Sequence, residues 1–251
     1  MPGVASEEIL GRRALNRALL DRQLLLRRAE RPVSDTVEHL IGLQAQSIAP
    51  PYCGLWSRLE GFDPHELGRL LTDREAVRMT LMRGTVHLVT VRDALLLRPL
   101  VQVVIERSHN GAFGRRMGGA DIGELERAVR EELDGEALNA RELGRRLVAR
   151  GIGDDVEAMG NAVRAHVPLV QVPPRGVWGK SGQAKYATLE SWTGGELERN
   201  PSVDEVVVRY LSAFGSGSSA STTTCCWATP TAPGSSLRTF RGRRCWPPAA
   251  S

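Results

Sequence analysis

Val77-Arg-Met-Thr-Leu-Met-Arg-Gly-Thr-Val-His-Leu-Val89 is the stretch on which the fold turns. Its two arms, residues 77–82 and 85–89, alternate in side-chain character and are rich in β-branched residues, with Arg83-Gly84 between them, so the stretch predicts a β-hairpin. The residues upstream have a helical period instead. Leu15, Leu19, Leu20 and Leu24 recur at helical spacing with Arg17, Asp21 and Arg22 on the other faces, which predicts an amphipathic first helix. After Pro32, Ser34 or Asp35 can cap a second helix with an inner face of Val37, Leu40 and Ile41, and Asp35 with Glu38 has capping-box spacing. A short helix over 52–59 can bury Leu55 and Trp56, and Asp63-Pro64-His65-Glu66 opens another carrying Leu67, Leu70 and Leu71.

Downstream, Thr90 with Asp93 caps a long apolar helix from Val91 to about Arg107, in which Pro99 predicts a kink or break near Arg98. Helices closed by a two-stranded hairpin follow the order of a winged helix. Residues 10–108 form this first unit, and the glycine-rich, basic segment 109–120 reads as a linker. The order then recurs over 121–193. Helices are predicted from the Leu125, Ala128, Val129, Leu133 spacing, from the Asn139 and Glu142 capping box, and from Asp154 or Asp155 onward to His166. Strands over 169–172 and 185–189 follow, with a long wing over 173–182. A third unit opens at 202–215 with the capping box of Ser202 and Glu205, and then the pattern stops. The tail, 216–251, has neither period and no acidic residue, and reads as the codons of a third domain translated out of frame. The expected class is mainly α with small β-hairpins, α+β, as tandem winged-helix domains.

The chain of 251 residues is 41% hydrophobic, ample for real cores, and no apolar run approaches the roughly 18 residues of a membrane span. The N-terminus lacks the basic and apolar regions of a signal peptide, so a cytoplasmic protein with no membrane partner is expected. The net charge of +4 comes from the tail, which holds Arg238, Arg241, Arg243 and Arg244; without those four of the 33 basic residues the body carries 29 of each sign. Net charge is therefore no argument for nucleic-acid binding. Cys53 is alone in the body, and Cys225, Cys226 and Cys245 have no metal-site or redox spacing, so neither metal nor cofactor is expected.

Nucleophile-elbow, phosphate-loop, zinc-protease and CxxC signatures are missing. The stretch Val37-Glu-His-Leu-Ile-Gly-Leu-Gln-Ala-Gln46 is more informative. On a helix Gln44 and Gln46 would diverge by about 200°, but in an extended segment they share a side. Gly42 weakens the helix and Pro50-Pro51 forbid its continuation, so the pair can face one site; the local pattern alone reads as a helix end with two solvated amides. On the hairpin, Arg83, Thr85 and His87 can meet a substrate, or His87 can be a half-buried strand histidine. On the second wing, Arg175, Trp178 and Lys180 can follow phosphates and pack on a sugar or base, or can be solvated wing residues.

Five segments carry a resemblance: 15–26, His39-Leu-Ile-Gly-Leu-Gln-Ala-Gln46, Gly54-Leu-Trp-Ser-Arg58, Leu81-Met-Arg-Gly-Thr-Val-His-Leu-Val89 and Val170-Gln-Val-Pro-Pro-Arg-Gly-Val-Trp-Gly179. Together they resemble the bacterial winged-helix DNA-binding proteins related to the AlkZ and YcaQ DNA glycosylases. The resemblance implies tandem winged helices forming a concave surface for double-stranded DNA carrying damaged or alkylated bases. It also implies that Gln44-Ala45-Gln46 is the Gln, apolar, Gln motif of the active site, and that the activity is excision of alkylated purines, including N7-linked lesions and crosslinks. Gln46 would position the water, and Gln44 would hold the lesion nucleotide or that water. With no lysine near the motif, a hydrolytic, monofunctional reaction is expected, by a protein acting as a monomer. Family members are longer, with a third winged helix and a β-rich end. The rival expectations are a non-catalytic, regulatory tandem winged-helix DNA binder and an inactive truncated fragment.

Overall fold

The computed structural model describes residues 11–215; residues 1–10 and the tail 216–251, read above as out of frame, lie outside them. The described chain is a mixed α+β structure. It begins with α1 (Arg12–Arg22), α2 (Val33–His39), β1 (Leu43–Gln44), α3 (Ala49–Trp56), α4 (Pro64–Thr72), β2 (Ala76–Thr80), β3 (Val86–Thr90) and α5 (Val91–Phe113). It continues with α6 (Ile122–Glu132), β4 (Leu138–Asn139), α7 (Ala140–Ala149), α8 (Val156–His166), β5 (Leu169–Gln171), β6 (Lys185–Thr188), α9 (Leu189–Thr193) and α10 (Val203–Phe214). The alternating stretch that opened the sequence analysis is the hairpin β2-β3, in the register Val77 to Val89 and Met79 to His87.

The hairpins do not stand apart. Arg78 and Met79 of β2 pair with Gln171 and Val170 of β5, so all six strands form one antiparallel sheet in the order β1-β3-β2-β5-β6-β4. Three apolar clusters back this sheet. One gathers Val37, Tyr52, Leu55, Leu67 and Leu88; a second gathers Leu125, Leu143, Leu147, Met159 and Val163; and a third joins Met79, Val89, Leu97 and Val170 where the hairpins meet. Each fully buried aliphatic side chain contributes on the order of 1.5–3 kcal/mol by leaving water, so the shared third cluster ties the two halves into one body.

Several local expectations are corrected. The helix α2 starts at Val33 with Pro32 at its N-cap and no side-chain cap, so Asp35 is not the cap. Glu38 instead accepts the Thr90 hydroxyl at 3.0 Å. Pro50 and Pro51 lie in the first turn of α3, where a missing N–H costs nothing. The two prolines therefore start a helix, and α2 ends for another reason, given below. Pro99 does not break α5: the Leu95 carbonyl, which a proline at 99 leaves without its helical donor, accepts the Glu198 N–H at 3.2 Å. The 109–120 linker is helical to Phe113 and continues as a 3-10 turn over Gly114–Met117.

The apolar residues Val206, Val207 and Leu211 of α10 have different surroundings. Val206 packs on the third cluster, while Val207 and Leu211 stay exposed at 47% and 55%. The helix is anchored by Arg209, whose guanidinium donates to both oxygens of the fully buried Asp93 at 2.7 Å and to the Glu38 carbonyl at 2.8 Å. No described helix is long and apolar enough to cross a membrane.

Candidate functional site

The turn after α2 builds the site. Gly42 N–H donates to the Val37 carbonyl at 2.9 Å and Ile41 N–H to Glu38 at 3.0 Å, which is the bonding of a Schellman helix end. Ile41 and Gly42 take left-handed backbone, φ 52° and 89°. Ile41 is strained there, and Gly42 has no room for a side chain: a Cβ would lie 2.5 Å from Val89 Cγ1 and 2.9 Å from the Leu88 carbonyl. The chain then runs extended against β3, Leu43 opposite Leu88 and Gln44 opposite His87, with Ala45 N–H on the Val86 carbonyl at 2.8 Å. The alternation follows. Leu43 and Ala45 pack into the first cluster, so Gln44 and Gln46 point to the other side.

The two amides differ in what holds them. The Gln46 Oε1 accepts the Val86 N–H at 3.0 Å, which fixes the amide's orientation because a backbone N–H can only donate. The Gln46 NH2 group and one oxygen lone pair remain available. Gln44 is half-buried, and its amide bonds to no other described residue. Behind the motif, Arg78 of β2 donates from Nη2 to the Ala45 carbonyl at 2.7 Å. Only 2% exposed, Arg78 has no acidic partner among the described residues; burial and the nearby Arg175 charge push its pKa down to about 10, so it remains a cation. It was not singled out in the sequence, although an arginine between Val77 and Met79 on an otherwise buried strand is the available signal.

His87 is completely buried: its Nδ1 lies 2.8 Å from the Thr85 carbonyl, and burial pushes its pKa down to about 4. A neutral ring donating from Nδ1 suits that carbonyl and braces the strand opposite Gln44. Arg83 is exposed and Thr85 half-buried at the hairpin tip. The second wing folds back onto the first cluster rather than standing out. Tyr52 donates its hydroxyl to the Gly176 carbonyl at 2.7 Å and stands 4.9 Å from the Trp178 ring, and Val177 and Trp178 pack against the cluster. Arg175 is half-buried with Nη1 on the Gly182 carbonyl at 3.0 Å, whereas Lys180 is exposed. The two regions singled out as separate candidates are thus neighbours through Tyr52.

Gln46 also lines a cavity of about 230 Å3 between the hairpin tip and the helices α5 and α8. Thr80 and Gly84 border it on the hairpin side; His109, Asn161 and Arg164 border it on the other. These three were not foreseen: His109 was read as the start of the linker, and Asn161 and Arg164 sit on a helix in a pattern that reads as ordinary surface. Among the described residues no group of three His, Cys, Asp or Glu could hold a metal ion. The arrangement offers fixed neutral donors and acceptors at Gln46, suited to ordering a water or a polar ligand edge rather than to strong acid catalysis.

A family model described as DNA glycosylase AlkZ-like matches residues 37–235, a range that includes the whole hairpin sheet and runs past the described residues. Among solved structures, Streptomyces sahachiroi DNA glycosylase AlkZ is similar with a TM-score of 0.64 at 27% identity, over 80% of this chain and 56% of that one. The chain thus spans little more than half the length of that structure. No curated protein matches it.

Proposed function

The chain belongs to the AlkZ-like DNA glycosylase family, and from that premise we propose that it hydrolyses the N-glycosidic bond of purines alkylated or crosslinked through N7 in double-stranded DNA. The observation that carries this reading is the Schellman turn at Ile41-Gly42, which converts a helix into an extended segment and sets Gln44 and Gln46 on one side of it. Alkylation at N7 makes the purine cationic and already a good leaving group, so the transition state is a sugar with oxocarbenium character. What remains is to place a water and to stabilise positive charge, which neutral amides do without a strong acid. Gln46, oriented by the Val86 N–H, positions the water; Gln44 holds the lesion nucleotide or that water. No lysine lines the cavity that Gln46 borders, which favours hydrolysis over a Schiff base.

In this reading, residues 10–108 and 121–193 are tandem winged helices joined through 109–120, and 202–215 opens a third. The exposed Arg83 and Lys180, with Arg175 and Trp178 on the folded-back wing, contribute contacts to the DNA backbone, and the protein acts as a monomer without a cofactor. His87 supports the motif from within. The tail 216–251 is out of frame; gene sequence that shows no continued helix-and-strand pattern in a shifted frame near Gly215 removes that part of the reading.

The test is base release from DNA containing N7-methylguanine. Wild-type chain is expected to release the base, and Gln46→Ala to lose about 100-fold in rate, the usual effect of removing one preorganised polar group. Salt-sensitive binding without release by the wild type would instead identify a non-catalytic DNA-binding protein or an inactive fragment.

A further inference from the structure

The wall of the cavity opposite Gln46 carries polar groups that the hydrolytic reading leaves unused. His109 of α5 is 7% exposed, and neither of its ring nitrogens makes a hydrogen bond to any described residue; the Asn110 side chain and the Ala158 backbone lie nearby without bonding geometry. Arg164 donates from Nη2 to the Asn161 side-chain oxygen, yet its buried Nε has no partner either. Leaving a buried donor or acceptor unmade costs about 1–3 kcal/mol each. His109 and Arg164, from the two helices α5 and α8, line the same small space, and that space also meets the motif through Gln46.

The shape narrows what can enter. Phe113 stacks on His109 with centroids 5.7 Å apart and planes at 19°, which presents flat aromatic surface beside the polar edge. At about 230 Å3 the cavity falls below the roughly 300–1,000 Å3 of pockets for drug-sized ligands, a size that suits one heterocyclic base.

Resting on the glycosylase reading, we infer that this cavity receives the alkylated purine itself, turned out of the duplex, with His109, Asn161 and Arg164 bonding its polar edge while Gln46 stands at the sugar. A purine offers donors and acceptors along one edge, which a neutral imidazole and an amide can match, and a guanine oxygen accepts from a guanidinium. Burial lowers the His109 and His166 pKa values, so both rings are neutral at pH 7 and neither repels a cationic base. Turning a base out costs a few kcal/mol, least where alkylation has already weakened its pairing.

The test uses the full chain labelled with 15N at histidine and titrated with free 7-methylguanine, the reaction product. Saturable shifts of the His109 ring nitrogens with no shift at the exposed His65 are expected. Ala112→Trp, at the cavity rim on an exposed helix position, is expected to abolish those shifts and to slow release of 7-methylguanine from DNA at least tenfold, with duplex affinity changed less than twofold. Unmoved His109 signals at millimolar base, or wild-type release by Ala112→Trp, overturn the inference. So does a shift of the His109 signals with inorganic phosphate and none with the base. A wild type that releases the base while His109 stays unmoved overturns the pocket alone, and one that binds the base at His109 but releases none overturns the glycosylase reading alone.

Discussion

Matched position for position, α2, β1, α3, α4, β2 and β3 of the first helix-and-hairpin unit correspond to α6, β4, α7, α8, β5 and β6 of the second. The second unit caps α6, α7 and α8 from side chains. Asp121, Asn139 and Asp155 each cap their helix with a side-chain oxygen, and β4 passes directly into α7 through Asn139. Its helices α7 and α8 touch backbone to backbone: a Cβ on Gly144 would lie 2.2 Å from the Val156 carbonyl oxygen, and one on Gly160 would lie 2.6 Å from that of Ala140. In the first unit neither α2 nor α3 has a side-chain cap, Ile41 is held at positive φ, and a cation and a histidine are buried at Arg78 and His87. At the place of Asn139, which caps a helix, stands Gln44, which caps nothing. One architecture is thus used twice, and only the first copy turns the exit of its first helix into Gln44-Ala45-Gln46, where the proposed chemistry lies.

The sharpest way to break the contrast is in the second unit. Gly144→Val forces side-chain atoms into the Val156 carbonyl and is expected to cost more than about 3 kcal/mol, read as the loss of a cooperative transition near the wild-type melting temperature. A wild-type melting curve would show that α7 and α8 are not in close contact. In the first unit the cost is pH-dependent. Because the folded pKa of His87 is depressed to about 4 from an unfolded value near 6.5, the unfolded chain binds the proton first as pH falls. Stability from keeping His87 neutral is fully present above pH 6.5 and is lost between pH 6.5 and 4, by on the order of 3 kcal/mol. Urea denaturation across that range should show His87→Gln losing correspondingly less stability than wild type; parallel curves would place His87 in contact with water.

A smaller effect is expected at Arg78. Arg78→Met keeps the apolar stem but removes the bond to the Ala45 carbonyl, and a buried cation without an acid partner is replaced at little cost in stability. Base release should fall by roughly 10- to 100-fold through misplacement of the motif while the melting temperature moves little; an unchanged rate would separate Arg78 from the site. The smallest is Asn139→Ala, which removes the cap of α7 and should cost about 1 kcal/mol with no change in base release, whereas Gln44→Ala at the corresponding position should lower release with no comparable loss of stability.

Much of the fold was legible because its signals are local. The hairpin at 77–89, the Asp63-Pro64 helix start and the Asn139 and Ser202 caps depend on residues within one turn of each other, and the structure contains each of them. The extended exit of Gln44 and Gln46 was also legible, though it is caused by the left-handed Ile41-Gly42 turn and not by Pro50-Pro51. Pro99 misled for the opposite reason. Its local cost is real, but the carbonyl it frees is satisfied by Glu198, nearly a hundred residues away.

Periodicity, capping and turn chemistry determined which segments are helices, which are strands, and that the order repeats, because those preferences arise between neighbours in the chain. Only the tertiary structure decided that β2 and β5 merge the hairpins into one sheet, that Arg78 and His87 brace the motif from inside, and that Gln46 shares a cavity with His109, Asn161 and Arg164. Those arrangements depend on which side chains lose their water together, and the residues concerned lie from 30 to more than 100 positions apart in the chain.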